Sequence, residues 1–384
     1  MTCVEICAFI RTQFEPQELI PLHRPILGDV EKSALCDCID SNFVSSVGSR
    51  VGEFEQQLSE FSGVRRAVAT VNGTAALHIA LLCAGVEPGN EVITQPVTFA
   101  ATVNAISYAN ASPHFVDVET ATLGMSPDSL ERFLSDHVTV RGGVAVNGTT
   151  GKRLAACVPV HVFGHPCRID RIAKLCAAYR IPLIEDAAEA LGSYRDGVHV
   201  GGHGVMATLS FNGNKIITTG GGGAILTNDG QLADRLKHLT TTAKEPHLYE
   251  FFHDQIGYNY RLPNLNAALG CVQMDQLPLF ITRKRKLAAA YREFFANTDI
   301  QFVDEPRGCR SNFWLSAVLF PDRRRRDEFL EYSNNNGVMT RPLWRLMPDL
   351  PAFADAPCEA IPVARFLYDR CVALPSSVPN KEIE

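Results

Sequence analysis

Short strands and helices alternate along residues 67–240, and this alternation restricts the fold more than any other feature of the sequence. Apolar runs of four or five residues, such as 67–71 and 91–94, are each followed by a segment with helical spacing. Strands that alternate with helices form a mostly parallel sheet covered on both faces. Ligands bind such sheets at the carboxyl ends of the strands. We therefore predict an α/β protein with its site at that edge.

Three regions are predicted along the chain. Residues 1–25 form an N-terminal arm, residues 26–250 a large domain that contains the sheet, and residues 251–384 a smaller C-terminal α/β domain. The boundary rests on a change of pattern, because residues 243–264 are loop-like and a long helix follows them. A chain of 384 residues is long enough for such a division.

Composition and charge exclude several classes of function. A hydrophobic content of 46% and a charged content of 20% are typical of globular proteins. The net charge of −6 gives no reason to expect nucleic acid or an anionic membrane as partner. No long apolar stretch predicts a membrane span, and no cleavable signal pattern is present. The 12 cysteines are scattered, which is typical of reduced thiols. We expect a cytoplasmic protein.

Lys215 lies among polar and small residues, 210–223, between two apolar runs that predict buried strands. A lysine held there suits Schiff-base chemistry, because only the neutral amine attacks a carbonyl. A solvated loop lysine is the plain alternative. The order of the residues excludes a phosphate-binding P-loop, because that motif needs glycine before the lysine and Ser or Thr directly after it. Here Ile216 follows.

Asp186 ends the apolar run 181–186 and is followed by two alanines. These neighbours predict a buried carboxylate, which needs a cation or strong hydrogen-bond donors. A solvated loop aspartate is the alternative, and the apolar neighbours argue against it.

A candidate anion site follows the strand at 67–71. Gly73 and Thr74 open a helix whose free backbone N–H groups can bind an anion. Phe99 lies at another strand-to-helix junction, where a ring can cover a ligand. An ordinary capped helix and a core phenylalanine are the alternatives.

Three other residues resemble half of a zinc site. They have no second ligand pair at suitable spacing, so no metal is predicted; they are His161, His165 and Cys167.

Together these residues complement pyridoxal phosphate. Lys215 would form the internal aldimine, and Asp186 would keep the pyridine nitrogen protonated, which makes the ring an electron sink. Gly73, Thr74 and Ser210 would hold the phosphate, and Phe99 would stack on the ring.

Four motifs, at residues 70–77, 185–192, 210–223 and 257–261, resemble the pyridoxal-phosphate sugar aminotransferases of the DegT/StrS group. Within that group the chain most resembles the LegC-like branch, on residues 161–170, 239–244, 311–314 and 337–342. The resemblance spans about residues 9–378. Lys215 argues against relatives that have His at this position and act as dehydratases.

The resemblance implies fold type I, like aspartate aminotransferase, with a mostly parallel sheet of the seven-stranded type. It also implies a homodimer with active sites at the subunit interface. Asn259 matches an asparagine that reaches the phosphate in the partner subunit. Glu189 matches a residue beside the ring oxygen of the cofactor.

The implied reaction is ping-pong transamination from an amino donor, expected to be glutamate, which leaves as 2-oxoglutarate. Lys215 would act as general base and then as acid. The expected acceptor is a nucleotide-linked 4-keto-6-deoxy sugar of surface-sugar biosynthesis. Candidate residues of the acceptor cleft are Ser45, Ser46, Arg261, Asn312, Trp314 and Arg341.

Other functions stay open at this point. The same chemistry could act on a 3-keto sugar or a keto-octulosonic acid. A non-catalytic, cofactor-binding regulator would bind the cofactor without turnover. A nucleotide-binding domain without pyridoxal phosphate would be colourless.

Overall fold

The computed structural model describes residues 1–379 and has an α/β architecture. The α-helices of these residues are α1 (Cys3–Thr12), α2 (Asp29–Asp40), α3 (Ser49–Ser62), α4 (Gly73–Cys83), α5 (Ala100–Tyr108), α6 (Pro127–His137), α7 (Ile169–Ala178), α8 (Gly230–Thr240), α9 (Asn264–Phe295), α10 (Arg323–Asn335) and α11 (Pro362–Tyr368). The strands are β1 (Arg66–Thr70), β2 (Glu91–Thr94), β3 (Ser112–Phe115), β4 (Val138–Arg141), β5 (Val144–Asn147), β6 (Leu154–Val158), β7 (Ile184–Asp186), β8 (Tyr194–Arg195), β9 (Val198–His199), β10 (Met206–Ser210), β11 (Gly223–Thr227), β12 (Gln301–Phe302), β13 (Cys309–Arg310), β14 (Ser316–Leu319), β15 (Arg341–Pro342) and β16 (Cys371–Leu374).

The main sheet has the strand order β1-β11-β10-β7-β6-β2-β3. Strands β6 and β7 join its two parts through parallel bridges, Cys157 with Leu183 and Val160 with Asp186. Among these seven strands, β11 runs antiparallel to the other six, which run parallel to one another. The predicted α/β class with a mostly parallel sheet is therefore confirmed.

Helices cover both faces of this sheet. Along β1, Ala67 and Ala69 pack into one core cluster with α3 and α9, while Val68 packs into another with α4, α5 and α8. Alternate residues of a strand point to opposite faces, so both faces can be buried only if the strand is apolar throughout. This explains the continuous apolar runs in the sequence.

A second, antiparallel sheet forms from β12, β14, β16 and β15 in that order. Helices α1 and α10 contribute to its core, where Ile6 and Ile10 of α1 pack with Phe329 and Val372. Helix α1 of the N-terminal arm is thus part of a core built from C-terminal residues, which the sequence did not predict. The division into three regions stays a prediction.

Two smaller sheets complete the described part of the chain. Strands β4 and β5 form an antiparallel hairpin, and β13, β8 and β9 form a three-stranded sheet. None of the helices within residues 1–379 has the length and apolar character needed to cross a membrane.

Candidate active site

A cavity of about 770 Å³ opens beside the carboxyl ends of β7 and β10. It is lined by seven of the eight residues predicted to bind the cofactor. These are Gly73, Thr74, Phe99, Asp186, Glu189, Ser210 and Lys215. The edge of the sheet predicted for the site is therefore the edge at which these residues meet.

Lys215 lies on the turn that follows β10, where its main-chain N–H donates to Asn212 at 3.0 Å. Its Nζ lies 3.5 Å from a carboxylate oxygen of Glu189 and 4.2 Å from the ring centroid of Trp314. The side chain is largely buried. The amine is therefore held inside the cavity, and the solvated-loop alternative is wrong.

Asp186 ends β7 and is buried, with 3% of its surface exposed. It accepts hydrogen bonds from the Thr102 hydroxyl at 2.7 Å and from the Ala188 N–H at 3.1 Å. Burial raises the pKa of Asp186, and these hydrogen bonds offset that only in part. No lysine, arginine or histidine among residues 1–379 forms an ion pair with Asp186. The carboxylate can therefore accept a cationic ligand.

Glu189 is buried between the lysine and the main chain of the opposite wall. Its second carboxylate oxygen accepts a hydrogen bond from the Phe163 N–H at 2.8 Å. Burial raises the pKa of Glu189 to about 6, although the nearby Lys215 charge acts to lower it. Glu189 therefore changes between its neutral and its anionic form near pH 6.

The N-terminus of α4 forms the candidate anion cradle. The Asn72 side chain caps it by accepting from the Ala75 N–H at 2.7 Å. A Cβ atom at Gly73 would lie 2.9 Å from the Cβ of Ser210, so the helix start fits against β10 only with glycine there. The first N–H groups of a helix have no intrahelical acceptor and can bind an anion.

Phe99 begins α5 and has 59% of its surface exposed, on the wall of the cavity. The alternative that it is a core residue is wrong. A large ring exposed at this point can cover a flat ligand.

Asn259 does not line the cavity of its own chain. It is exposed, and its side-chain oxygen accepts a hydrogen bond from Arg261 at 3.2 Å. Its predicted contact with a partner's phosphate stays a prediction.

The candidates for the acceptor cleft divide into two groups. Trp314 and Arg341 line the cavity, whereas Ser45, Ser46 and Arg261 do not. Asn312 is fully buried, and its amide donates to the carbonyls of Glu189 and Leu191 at 2.9 and 3.0 Å. It holds the main chain below the site instead of facing a ligand.

The cavity is also lined by residues that the sequence did not single out, among them His23, Trp344 and Arg345. His23 is brought there by the N-terminal segment, whose Leu22 carbonyl accepts from the Ser376 N–H. Its ring nitrogens have no hydrogen-bond partner among the described residues. Burial first, then the charges of Lys284 and Lys215, hold the pKa of His23 well below its ordinary value. No local sequence signal marks such a position, because it depends on long-range packing.

The residues of the candidate zinc half-site are engaged in other ways. His161 Nε2 lies 3.2 Å from a carboxylate oxygen of Glu185, and its Nδ1 accepts from the Cys167 N–H at 3.2 Å. His165 packs edge-on against Phe313 at 5.2 Å.

Comparison with known proteins gives consistent matches over nearly the whole chain. Residues 25–382 match the sequence profile described as the DegT/DnrJ/EryC1/StrS aminotransferase family. The chain is 35% identical over 366 residues to the GDP-perosamine synthase of Escherichia coli O157:H7, covering 95% of each chain. It is similar to the crystal structure of the aminotransferase TlmJ from Streptoalloteichus hindustanus, with a TM-score of 0.85, 28% identity and 93% coverage of both chains. It is also similar to the structure of DesI in the presence of its TDP-sugar product, with a TM-score of 0.81 and 29% identity, covering 96% of this chain and 91% of that one.

Proposed function

The chain belongs to the DegT/DnrJ/EryC1/StrS aminotransferase family, and from this premise we propose its reaction. It is a pyridoxal-phosphate-dependent aminotransferase that transfers an amino group to a nucleotide-linked 4-keto-6-deoxy sugar in surface-sugar biosynthesis. One observation carries the proposal: Lys215, Asp186 and the start of α4 line a single cavity.

The residues of this cavity fit pyridoxal 5'-phosphate. The close approach of Gly73 to Ser210 leaves the first N–H groups of α4 accessible to a phosphate, with hydroxyls of Thr74 and Ser210 beside them. Asp186 is buried with only two hydrogen-bond donors, which suits a carboxylate that faces a protonated ring nitrogen. Phe99 is exposed where it can cover one face of the ring.

The bound cofactor would supply an aldehyde that carries the amino group and a ring that stores the electron pair of the broken Cα–H bond. Lys215 would take the Cα proton from the donor as general base and return a proton as general acid. Asp186 would stay ionised and keep its partner nitrogen protonated. Glu189, 3.5 Å from the Lys215 amine, would hold that amine in place.

The acceptor is proposed from relatives. The name GDP-perosamine synthase denotes a GDP-linked amino sugar, and DesI was solved with a TDP-sugar product. Trp314, Arg341, Trp344 and Arg345 line the cavity and could contact such a nucleotide sugar. We further propose glutamate as the amino donor. We also propose that the chain belongs to the LegC-like branch, and the comparison of acceptors below tests this finer assignment.

Fold type I is supported by the strand order of the main sheet, in which one antiparallel strand, β11, lies among six parallel strands. We also propose the division at residues 25 and 250, because all strands of the main sheet precede the second boundary and all strands of the β12-β14-β16-β15 sheet follow it. The small β13-β8-β9 sheet joins the two sides. The cytoplasmic location stays a prediction.

We propose a homodimer in which Asn259 reaches the phosphate of the partner's site. The segment before Asn259 exposes Leu248 by 94%, together with Tyr249, Phe251, Phe252 and Ile256. An exposed apolar cluster of this size is typical of a surface covered by a partner.

The first experiment records the visible spectrum of the holoenzyme before and after glutamate is added without an acceptor. Loss of the cofactor band in the wild type but not in Lys215→Ala supports the first half-reaction. A stable band in the wild type would contradict glutamate as donor. Acceptors are then compared by product mass: GDP- and TDP-linked 4-keto-6-deoxy sugars, a 3-keto sugar and a keto-octulosonic acid. Binding of the cofactor without turnover of any donor would favour the regulator.

The second experiment tests whether sites are shared between subunits. Lys215→Ala and Asn259→Ala are each prepared as inactive variants and then mixed under conditions of subunit exchange. A mixed dimer with shared sites has one site that combines wild-type Lys215 and wild-type Asn259, so activity returns. Sites confined to one subunit would give no recovery.

A further inference from the structure

Trp314 contacts both the amine of Lys215 and the main chain beside it. Nζ of Lys215 lies 4.2 Å from the centroid of the indole ring. The indole N–H donates to the carbonyl of Asn214, the residue before the lysine, at 2.7 Å. Trp314 has 4% of its surface exposed, so its ring has little freedom to move. The tryptophan therefore holds the lysine at both ends of its side chain.

The same network holds Glu189. The main-chain N–H of Trp314 donates to Asn312 Oδ1 at 2.8 Å, and the Asn312 amide donates to the Glu189 carbonyl at 2.9 Å. The lysine amine thus has a carboxylate at 3.5 Å and the aromatic ring at 4.2 Å as neighbours, both fixed through one buried asparagine.

An ammonium group is attracted to the face of an indole ring, which cannot accept its proton. A lysine side chain otherwise has a flexible four-carbon stem. An amine that moves a proton must stay within hydrogen-bond reach of the reacting atom. The indole ring of Trp314 can keep the Lys215 amine within reach of the reacting atom without taking its proton.

We propose that Trp314 is a positioning residue for the Lys215 amine, and that it acts through the lysine and not through the shape of the cavity. This inference rests on the proposed aminotransferase function. Its first test does not require that function, so the two can fail separately.

The first test measures access to the Lys215 amine in the full chain freed of cofactor. Limiting acetic anhydride acylates the protein, and mass spectrometry compares Lys215 with the exposed Lys152. We expect Trp314→Leu to raise the relative labelling of Lys215 about fivefold, because the attraction and the cover of the ring are both lost. Trp314→Phe keeps an aromatic face and should change it by less than about twofold.

Two controls accompany this measurement. Trp344→Leu removes the other tryptophan of the same cavity, which packs on Phe163 at 5.1 Å, and should leave the labelling of Lys215 unchanged. Trp314→Met has a longer and more flexible side chain than leucine, also without an aromatic face, and replaces Trp314→Leu if that variant does not fold. Equal labelling of Lys215 in the wild type and in every folded Trp314 variant would overturn the proposal.

The second test uses the glutamate half-reaction in two backgrounds. With Lys215 present, Trp314→Leu should lower the rate of the half-reaction about tenfold or more, with KM for glutamate little changed. In Lys215→Ala rescued by methylamine, the same change should cost less than about twofold, because the residue through which Trp314 acts is gone. Equal losses in both backgrounds would show that Trp314 only shapes the cavity. A wild-type protein that ignores glutamate would instead defeat the proposed function, and the labelling result would still stand.

Discussion

Lys284 is a fully buried lysine in α9, and the pH-dependent loss of folding stability that it causes can be worked out from the structure. Its Nζ donates to the carbonyl of Ser376. Burial lowers the pKa of Lys284 from 10.5 to about 7. His23, whose charge would also act on Lys284, has a pKa well below its ordinary value and stays neutral in this range. Replacement by methionine removes the titrating group and keeps much of the apolar stem.

Because the pKa of Lys284 is lowered on folding, the folded state binds the proton more weakly than the unfolded state does. Protonation of Lys284 therefore lowers the free energy of unfolding. Near pH 10.5, the pKa of Lys284 in the unfolded state, this loss of unfolding free energy is small. It grows as the pH falls towards 7, where it approaches its full value. A shift of this size corresponds to roughly 5 kcal/mol at full development. Between about pH 9 and pH 7 the cost changes by about 2 kcal/mol.

The assay compares free energies of unfolding from urea denaturation for the wild type and Lys284→Met. The methionine variant loses the hydrogen bond to Ser376, at a cost that does not depend on pH, so the quantity of interest is the difference between the two pH values. We expect the stability of the variant relative to wild type to rise by about 2 kcal/mol from pH 9 to pH 7. The matched control, exposed Lys152→Met, should show no such change. A pH-independent difference for Lys284→Met would refute the reasoning.

Three further predictions concern the cofactor site. Gly73→Ala should weaken pyridoxal phosphate binding at least about tenfold by equilibrium titration, because the added methyl group approaches β10 to 2.9 Å. Gly52→Ala, with no atom within 4 Å of the added carbon, should leave that affinity unchanged. Thr102→Val removes a hydrogen bond to the Asp186 carboxylate worth about 1.5–3 kcal/mol and raises the pKa of that carboxyl further, so the cofactor-free protein should melt at a lower temperature and added cofactor should raise the melting temperature by more than it does in the wild type; an equal rise in both proteins would contradict the assigned role of Asp186. The glutamate half-reaction should slow as the pH falls below about 6, the raised pKa of Glu189, and Glu189→Gln should flatten that limb of the profile; an unaltered limb would exclude Glu189 as its source.

The main sheet and most of the site could be predicted from the sequence because the signals are local. A buried strand needs a continuous apolar run, and a helix that starts after a strand needs a cap and a small residue, as Asn72 and Gly73 provide. Asp186 is the last residue of β7, and Lys215 lies on the turn that follows β10. The position of each residue along its own strand was enough to bring both to one edge of the sheet.

Other features depended on contacts between distant parts of the chain and left no local signal. His23 enters the cavity because residues 20–22 pair with residues 337–339 and 376. The two-residue strands β8, β9 and β13 exist through pairing with one another and have no apolar run of their own. Asn312 is a sequence-based candidate for the acceptor cleft, yet it is fully buried and its amide donates to two main-chain carbonyls.

Glu185 and Asp186 show why adjacent carboxylates of one buried strand have different roles. Alternate residues face opposite sides of the sheet, and the donors on the two sides differ. Glu185 accepts from the N–H groups of Gly201, His203 and Gly204, and faces His161. Burial acts to raise the pKa of Glu185, but the hydrogen bond and the charge of His161, together with the Gly201 N–H, outweigh it, and the pKa lies below its ordinary value.

Among residues 1–379, only Thr102 and Ala188 donate to the Asp186 carboxylate, and its pKa stays raised. A carboxylate surrounded by donors is already stabilised as an anion and has no capacity left for a ligand, whereas one with few donors gains most from a new cation. The side of the sheet that supplies fewer hydrogen bonds is therefore the side on which a charged cofactor nitrogen is bound most strongly, and it is Asp186 that lines the cavity there.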